Sequence, residues 1–381
     1  MENKKICFIN GANPKFLGGI SLYQKNLLKY IKRKDPSLIV TWIYKSVKDE
    51  ITSDNSITYV GVNCGKIPFI DDIIYNLKSK NYLNKNYFNI INSHAIWGNW
   101  MKSYKKQDNQ KIIHTYHGAT YPYYKVHLKR FNLIKRILLS PLLLYGYLIE
   151  KTPIKNADNI VCVSEKVKKE INETYNSKRK IEVLRTGVDL KEFKLRNKED
   201  TIKKLNLDKE KMYGLYIGKG GYWIKGLDRA VKISEEIYKR NKNYRLIVIG
   251  ADKNKVGNLI DRAFIIYLQN IPREKIPLYY NVADFLLFLS RYEGGAPTLV
   301  VSEAMASGCL VICSKDSKQE IIEDNKNGLI LSTFNENDAK RIIDLIQDKK
   351  KQQDIRKYAI KTIKEFSIDK WGEEYSKIIL K

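Results

Sequence analysis

Short apolar runs recur along the whole of this 381-residue chain and alternate with stretches in which apolar residues return at helical spacing. That alternation constrains the fold more than any other feature. Parallel strands need a crossover connection, and a helix is the usual one, so the pattern predicts parallel sheets covered by helices. In the first half the strand candidates are KICFIN (5–10), LIVTWIY (38–44), ITYVGVN (57–63), FNIINSH (88–94), KIIHTYH (111–117), NIVCVS (159–164) and IEVLRTG (181–187). The second half offers YGLYIG (213–218), RLIVIG (245–250), FIIYLQ (264–269), DFLLFLS (284–290), CLVICS (309–314) and NGLILS (327–332). A single core rarely organises a chain of this length, so two α/β units are expected, with a ligand cleft between them. The charged stretch DLKEFKLRNKEDTIKKLNLDKEKM, poor in large apolar residues, is the expected linker. Beyond Asp338 only helical spacing remains, and no internal repeat or low-complexity tract is found.

Composition narrows the class further. The five cysteines (Cys7, Cys64, Cys162, Cys309, Cys313) show no CxxC spacing, which favours reduced thiols in a cytoplasmic protein over a disulfide or zinc framework. No signal peptide is read in MENKKICFIN, and the longest apolar stretch, LLSPLLLYGYLI (138–149), is shorter than the roughly 20 residues of a spanning helix. A soluble or peripheral protein is expected. The net charge of +27 implies attraction to polyanions such as nucleic acid, an anionic membrane face or phosphorylated substrates, or reflects a chain simply rich in lysine.

Candidate chemistry sits just beyond the strands. After the first strand, a loop with Gly18 and Gly19 leads into a helix carrying Leu22, Leu27, Leu28 and Ile31, where backbone amides can approach a phosphate or the glycines are plain turn residues. The loop fits neither GxGxxG nor a Walker A pattern. YIGKGGYWIKGLDRA places Lys219 and Lys225 around Gly220 and Gly221, two ammonium groups suited to a diphosphate if they are not merely solvated. In RYEGGAPTLVVSEAMASG, Glu293 is expected at a strand's C-terminal end and Pro297 at a helix start. The amides of Gly295, Ala296, Thr298 and Leu299 would face an anion or hydroxyls, beside the Pro297 ring. Glu303 is the one charge between Gly294 and Ser314, in a chain 29% charged, and a buried carboxylate must find donors. Of the four histidines, His114 and His117 share HTYHG; a zinc site would need more ligands, so His117 is read as lying near a bound sugar or phosphate, or as an ordinary strand-end histidine. No aspartate stands two residues from another, so the DxD element that holds a divalent ion on a nucleotide diphosphate is missing, and lysines and helix N-termini must meet phosphate charge.

This ordered series resembles the retaining glycosyltransferases of family 4, nearly end to end, through GGISLYQKNL, IINSHAIW, HTYHG, NADNIVCVS, RTGVDLKEF, YIGKGGYWIKGLDRAV, EGGAPTLVVSEAMASG and NGLI. The resemblance implies two Rossmann-like α/β/α domains facing across a cleft (the GT-B arrangement), residues 1–190 on the acceptor side and 191–365 binding a nucleotide sugar, with a last helix (366–381) packing back on the first. It implies that Glu303 binds the ribose diol, that Glu293 contacts the donor sugar, that Lys219 and Lys225 neutralise the diphosphate, that Gly18 and Gly19 close on it, and that His117 lies by sugar and acceptor. Three departures stand out. The family usually separates its two glutamates by seven residues, whereas nine stand between them here; Lys219 replaces a common Arg, and Leu310 a common Pro.

The implied reaction is sugar transfer with retention, by front-face attack, without a metal or other cofactor. The first domain is expected to read a glycan or lipid-linked acceptor with the aromatics of AIWGNW and GATYPYYK. From Tyr121 to Lys155 seven cations (Lys125, Lys129, Arg130, Lys135, Arg136, Lys151, Lys155) face one acid, Glu150, among apolar residues: a surface for an anionic membrane, or a crossover helix with its lysines in water. The competing readings are a nucleotide-sugar 2-epimerase, which needs no acceptor, and a non-catalytic binding subunit. No RNA-binding motif supports a nucleic-acid partner.

Overall fold

The computed structural model describes all residues except Met1, Glu2, Phe16, Leu17, Asn55, Ser56, Pro68, Gly220 and Lys381. The chain divides into two units, residues 1–185 with 371–381, and residues 186–370. Both are Rossmann-like, and each owes its form to strands buried on both faces.

In the first unit the strands are β1 (Lys5–Ile9), β2 (Ile39–Ser46), β3 (Glu50–Asp54), β4 (Ile57–Asn63), β5 (Ile90–His94), β6 (Lys111–Tyr116), β7 (Asn159–Cys162) and β8 (Ile181–Val183). They lie in the order β3-β4-β2-β1-β5-β6-β7-β8, and every pairing is parallel except β3 with β4. Ile6 to Ile9 are fully buried, as a central strand covered on both faces requires. Strand β3 was not expected from the sequence. Its five residues, EITSD, are exposed beyond the first, so an antiparallel edge strand carries no apolar pattern to read.

The last helix, Ile368–Leu380, belongs to the first unit from Trp371 onward. Tyr375 is buried beneath it, where its hydroxyl accepts from Asn92 Nδ2 at 2.8 Å and shares a 2.6 Å bond with Thr115. Glu373 accepts from Tyr30 (2.8 Å) and Lys34 (2.6 Å). A Cβ at Gly372 would stand 2.3 Å from the Tyr30 ring, so only glycine lets the two helices approach this closely.

The second unit contains β9 (Met212–Ile217), β10 (Tyr244–Ile249), β11 (Ile265–Leu268), β12 (Phe285–Phe288), β13 (Leu310–Ser314) and β14 (Leu329–Leu331), all parallel, in the order β11-β10-β9-β12-β13-β14. Apolar cores cover both faces. The expected linker differs from what forms: Phe193 and Ile202 are buried in the second unit's core and a helix spans Lys198–Lys204. Phe193 and Ile202, with Leu190, Leu205 and Leu207 packed beside them, anchor a segment whose average composition reads as solvated. The five cysteines are free and buried, and burial pushes the Cys309 and Cys313 thiols up to about 12, which leaves them protonated and inert. No helix among the described residues is long and apolar enough to cross a membrane.

Replacing Tyr375 by Phe strips Asn92 Nδ2 of its buried acceptor. Denaturant unfolding is expected to show a loss of about 1–3 kcal/mol; an unchanged midpoint would mean that this bridge does not hold the helix.

Candidate functional site

Strand order fixes where the second unit can bind a ligand. The order in which strands are added reverses between the parallel neighbours β9 and β12, and the loops leaving their C-terminal ends flank a switch-point crevice. Those loops are Gly218 to Gly226 and Leu289 to Thr298. Gly226 has φ +74°, and a Cβ there would sit 2.0 Å from the Leu289 carbonyl oxygen, so backbone meets backbone. Arg291 ties the loops further: its guanidinium forks onto Asp228 at 2.7 and 2.6 Å, lies 4.2 Å over the Trp223 ring, and its amide donates to the Ile224 carbonyl at 2.8 Å.

Within this frame Lys225 Nζ donates to both oxygens of Glu293, at 2.8 and 2.9 Å. The resemblance implies separate duties for these residues; here they form one pair, with Glu293 buried and Lys225 about a third exposed. Lys219 is exposed just past β9, and Gly220 lies outside the described residues. The Ala296–Pro297 bond is cis, and Pro297 does not start the helix. That helix is Leu299–Ala306, with Thr298 as N-cap, its side chain accepting from the Val301 amide, because a threonine oxygen satisfies a helix N-terminus as proline cannot. Ala296 and Pro297 are buried. Gln319 takes the Thr298 amide at 3.0 Å and donates to the Gly295 carbonyl at 3.3 Å, leaving the amides of Gly295, Ala296 and Leu299 as the candidates for a ligand.

Glu303 finds its donors within the protein: the Arg273 guanidinium forks onto both carboxylate oxygens, and Tyr280 donates its hydroxyl to Oε2 at 3.0 Å. Arg273 in turn lies over the Phe193 ring at 4.7 Å, with Glu192 3.7 Å from its Nε. Burial pushes the Glu303 carboxyl up, and the Arg273 charge opposes it. A carboxylate offers about four acceptor positions, and three are filled. The buried acid is thus satisfied before any diol arrives.

The first unit carries a second cluster. His117 follows β6, and its Nε2 shares a 3.0 Å hydrogen bond with Nδ1 of His94, the last residue of β5. Tyr23 stands edge-on to His117 at 4.5 Å, one turn into the helix Gly19–Lys34 whose N-cap is Gly18. The glycine loop and His117 are therefore neighbours. Among the described residues nothing lies within 4 Å of a Cβ placed on Gly18 or Gly19. Burial lowers His117 and His114 to about 3, which keeps both imidazoles neutral at pH 7. Trp100 of AIWGNW is core, packed on Tyr104, and is not available to stack on a sugar.

Arg273, Tyr280, Gln319, Arg291 and Asp228 went unassigned in the sequence, since each acts through a partner far along the chain. So did Glu150, read only as the one acid among seven cations. It is buried, accepts the Thr120 amide at 2.6 Å and the Tyr175 hydroxyl at 2.8 Å, and thereby fixes the first turn of the helix Thr120–Leu128, just past His117.

Residues 17–192 match the family described as Glycosyltransferase Family 4, and residues 197–362 match Glycosyl transferases group 1. The chain belongs to the family 4 glycosyltransferases. It is 26% identical over 360 residues to an uncharacterized glycosyltransferase of Methanocaldococcus jannaschii, covering 92% of this chain and 90% of that one. Spore coat protein SA of Bacillus subtilis is 26% identical over 230 residues, 54% of this chain and 60% of that one. Among solved structures, sucrose-phosphate synthase from Thermosynechococcus elongatus superposes with a TM-score of 0.82 at 18% identity, over 99% of this chain and 98% of that one. Anabaena HepE, in complex with UDP-glucose, gives 0.73 at 14%, over 99% of both chains. The fold of this glycosyltransferase is accordingly the two-Rossmann-domain GT-B type.

Burial pushes the Glu150 carboxyl up to about 7 from an ordinary 4.5, against the Thr120 and Tyr175 donors. A raised acid favours the folded state below about 4.5, and that contribution is lost as pH rises through 7, on the order of 3 kcal/mol in all. Glu150→Gln is therefore expected to melt higher than the wild type at pH 8, with the gap closing by about pH 4.5. Melting curves across that range check it: a gap independent of pH removes Glu150 titration as the cause.

Proposed function

We propose that this glycosyltransferase moves a sugar, with retention and without a metal, from a nucleoside diphosphate sugar to a hydroxyl of a glycan or lipid-linked acceptor. Synthesis of cell-surface polysaccharide or glycolipid, by an enzyme peripheral to the inner membrane face, is the process that such an acceptor suits. The Lys225–Glu293 pair at the β9/β12 switch point carries the reading. An ammonium has three N–H donors; two are on Glu293, and the third is left for a phosphate oxygen. Glu293 holds the ammonium in place, and the nearby amides of Gly295, Ala296 and Leu299 offer donors to sugar hydroxyls and phosphate.

In the reaction the bond from the anomeric carbon to the phosphate oxygen breaks while the acceptor oxygen bonds on the same face. The departing phosphate takes the acceptor proton. Positive charge builds on the sugar and negative charge on the leaving diphosphate, so the fixed cations Lys219 and Lys225 favour the transition state over the ground state. With no DxD element in the chain, these lysines supply the charge that a divalent ion would otherwise bring. Glu303, gripped by Arg273 and Tyr280, keeps one acceptor position for a ribose hydroxyl. His117, neutral and anchored to His94, serves as a hydrogen-bonding group beside the sugar rather than as a general acid. The UDP-glucose held by HepE supports a nucleotide sugar as donor.

Lys225→Ala is expected to slow transfer at least about tenfold, roughly 1.4 kcal/mol, in an assay of labelled sugar moved from UDP-sugars to an acceptor panel. A wild-type rate would refute the assignment. Incubating the donor alone separates the alternatives: an epimeric sugar would mark a 2-epimerase, and affinity without transfer or hydrolysis a binding subunit.

A further inference from the structure

Large apolar side chains left in water are unevenly shared between the two units. Among the described residues, the second unit exposes Leu195 and Tyr358, whereas the first exposes a series. Its densest part is the helix Leu133–Leu139, none of whose residues is buried. Leu133, Ile134, Ile137 and Leu138 are 71%, 72%, 63% and 72% exposed, and they repeat at i, i+1, i+4 and i+5, which is a single face. The following helix, Pro141–Asn156, adds Leu144 (61%) and Leu148 (55%). A crossover helix packed on its sheet would bury that face; this one presents it to solvent.

We propose that the helix Leu133–Leu139, with Leu144 and Leu148, is a docking surface for an anionic lipid bilayer. The proposal deepens the functional reading above, from which it takes the lipid-linked acceptor, but its support is the surface itself. Charge decides the occupant. Of the eight charged residues from Tyr121 to Lys155 seven are cations, and the single acid, Glu150, is buried and engaged with Thr120 and Tyr175. No exposed carboxylate in that span opposes an anionic headgroup. Arg130 and Lys135 lie over the Phe131 ring, at 4.3 and 4.8 Å, beside the start of the apolar face. Arg136 caps the preceding turn, donating to the carbonyls of Phe131 and Lys129, each at 2.8 Å, so the helix is held in shape from its own side. Aliphatic side chains on one face with cations at its border is the composition of a helix that lies in the headgroup plane, with apolar residues among acyl chains and ammonium groups among phosphates. A protein partner would instead be expected to meet some of the seven cations with carboxylates, and a second copy would bring the same positive charge against itself.

The test is co-sedimentation of the full chain with vesicles of phosphatidylcholine alone and with about a third phosphatidylglycerol. Binding is expected to the anionic vesicles only, and to fall when salt rises from about 0.1 M to about 1 M, which shortens the screening length from about 10 Å to about 3 Å. Ile134→Asp/Ile137→Asp is expected to lose at least about tenfold in binding while keeping its circular dichroism and its thermal stabilisation by UDP-sugars. Three results overturn the proposal: no binding by the wild type; equal binding by the double variant, which would assign it to general positive charge; or a dimer in light scattering that the double variant abolishes, which would make a second copy the occupant. The UDP-sugar shift is read without vesicles, so failure of the nucleotide-sugar reading is seen separately from failure of the surface.

Discussion

Parallel pairing is the constraint on which the rest of this structure depends. Two neighbouring strands that run the same way must be joined by a crossover, and each crossover returns the chain to the end where strands begin, so apart from antiparallel β3 every strand releases its following loop at one end of its unit. In the second unit β9 and β12 lie side by side though three crossovers separate them, and the loops they release are the ones that hold Lys225 and Glu293. The first unit repeats the arrangement: β1 and β5 are neighbours, and the glycine loop after one and His94 at the end of the other belong to the same edge. Chemistry collects there because the topology leaves irregular backbone nowhere else in such numbers.

Charged groups in these loops are then fixed by one another. The pair Lys225–Glu293, the fork of Arg291 on Asp228 and that of Arg273 on Glu303 are all salt bridges with at least one partner largely withdrawn from water. Pairs of this kind add little to net stability, because desolvation offsets most of the attraction. Their value is geometric. Removing one member leaves a charge without its counterpart, so each holds the other to a single position, and a site for a polyanion needs cations that do not wander. The same reasoning accounts for Glu303 in an apolar helix: Arg273 and Tyr280 make it tolerable there, and the diol proposed for it would add to that shell rather than cause it.

The two units differ in how they end at the solvent. Among the described residues the second exposes few large apolar side chains, while the first leaves aliphatic side chains open on several of its helices, most of all on Leu133–Leu139. The lipid-linked acceptor proposed above would suit that division.

Features that depend on residues close together in the chain are legible before any fold is known. Thirteen of the fourteen strands were legible from apolar runs, and the glycine turns, the cations after β9 and the acids around GGAPT stood where the motifs put them. The strand that escaped, β3, is polar because an edge needs no apolar face. Pairings come only with the fold: Arg273 with Glu303 across 30 positions, Lys225 with Glu293 across 68, Glu150 with the Thr120 amide across 30, Gln319 with Thr298 across 21. It also showed that Trp100 is core and that the Leu133–Leu139 helix is not. Periodicity records which side of an element is apolar, whereas partners and exposure are set when separate elements are brought together, and no local pattern encodes that meeting.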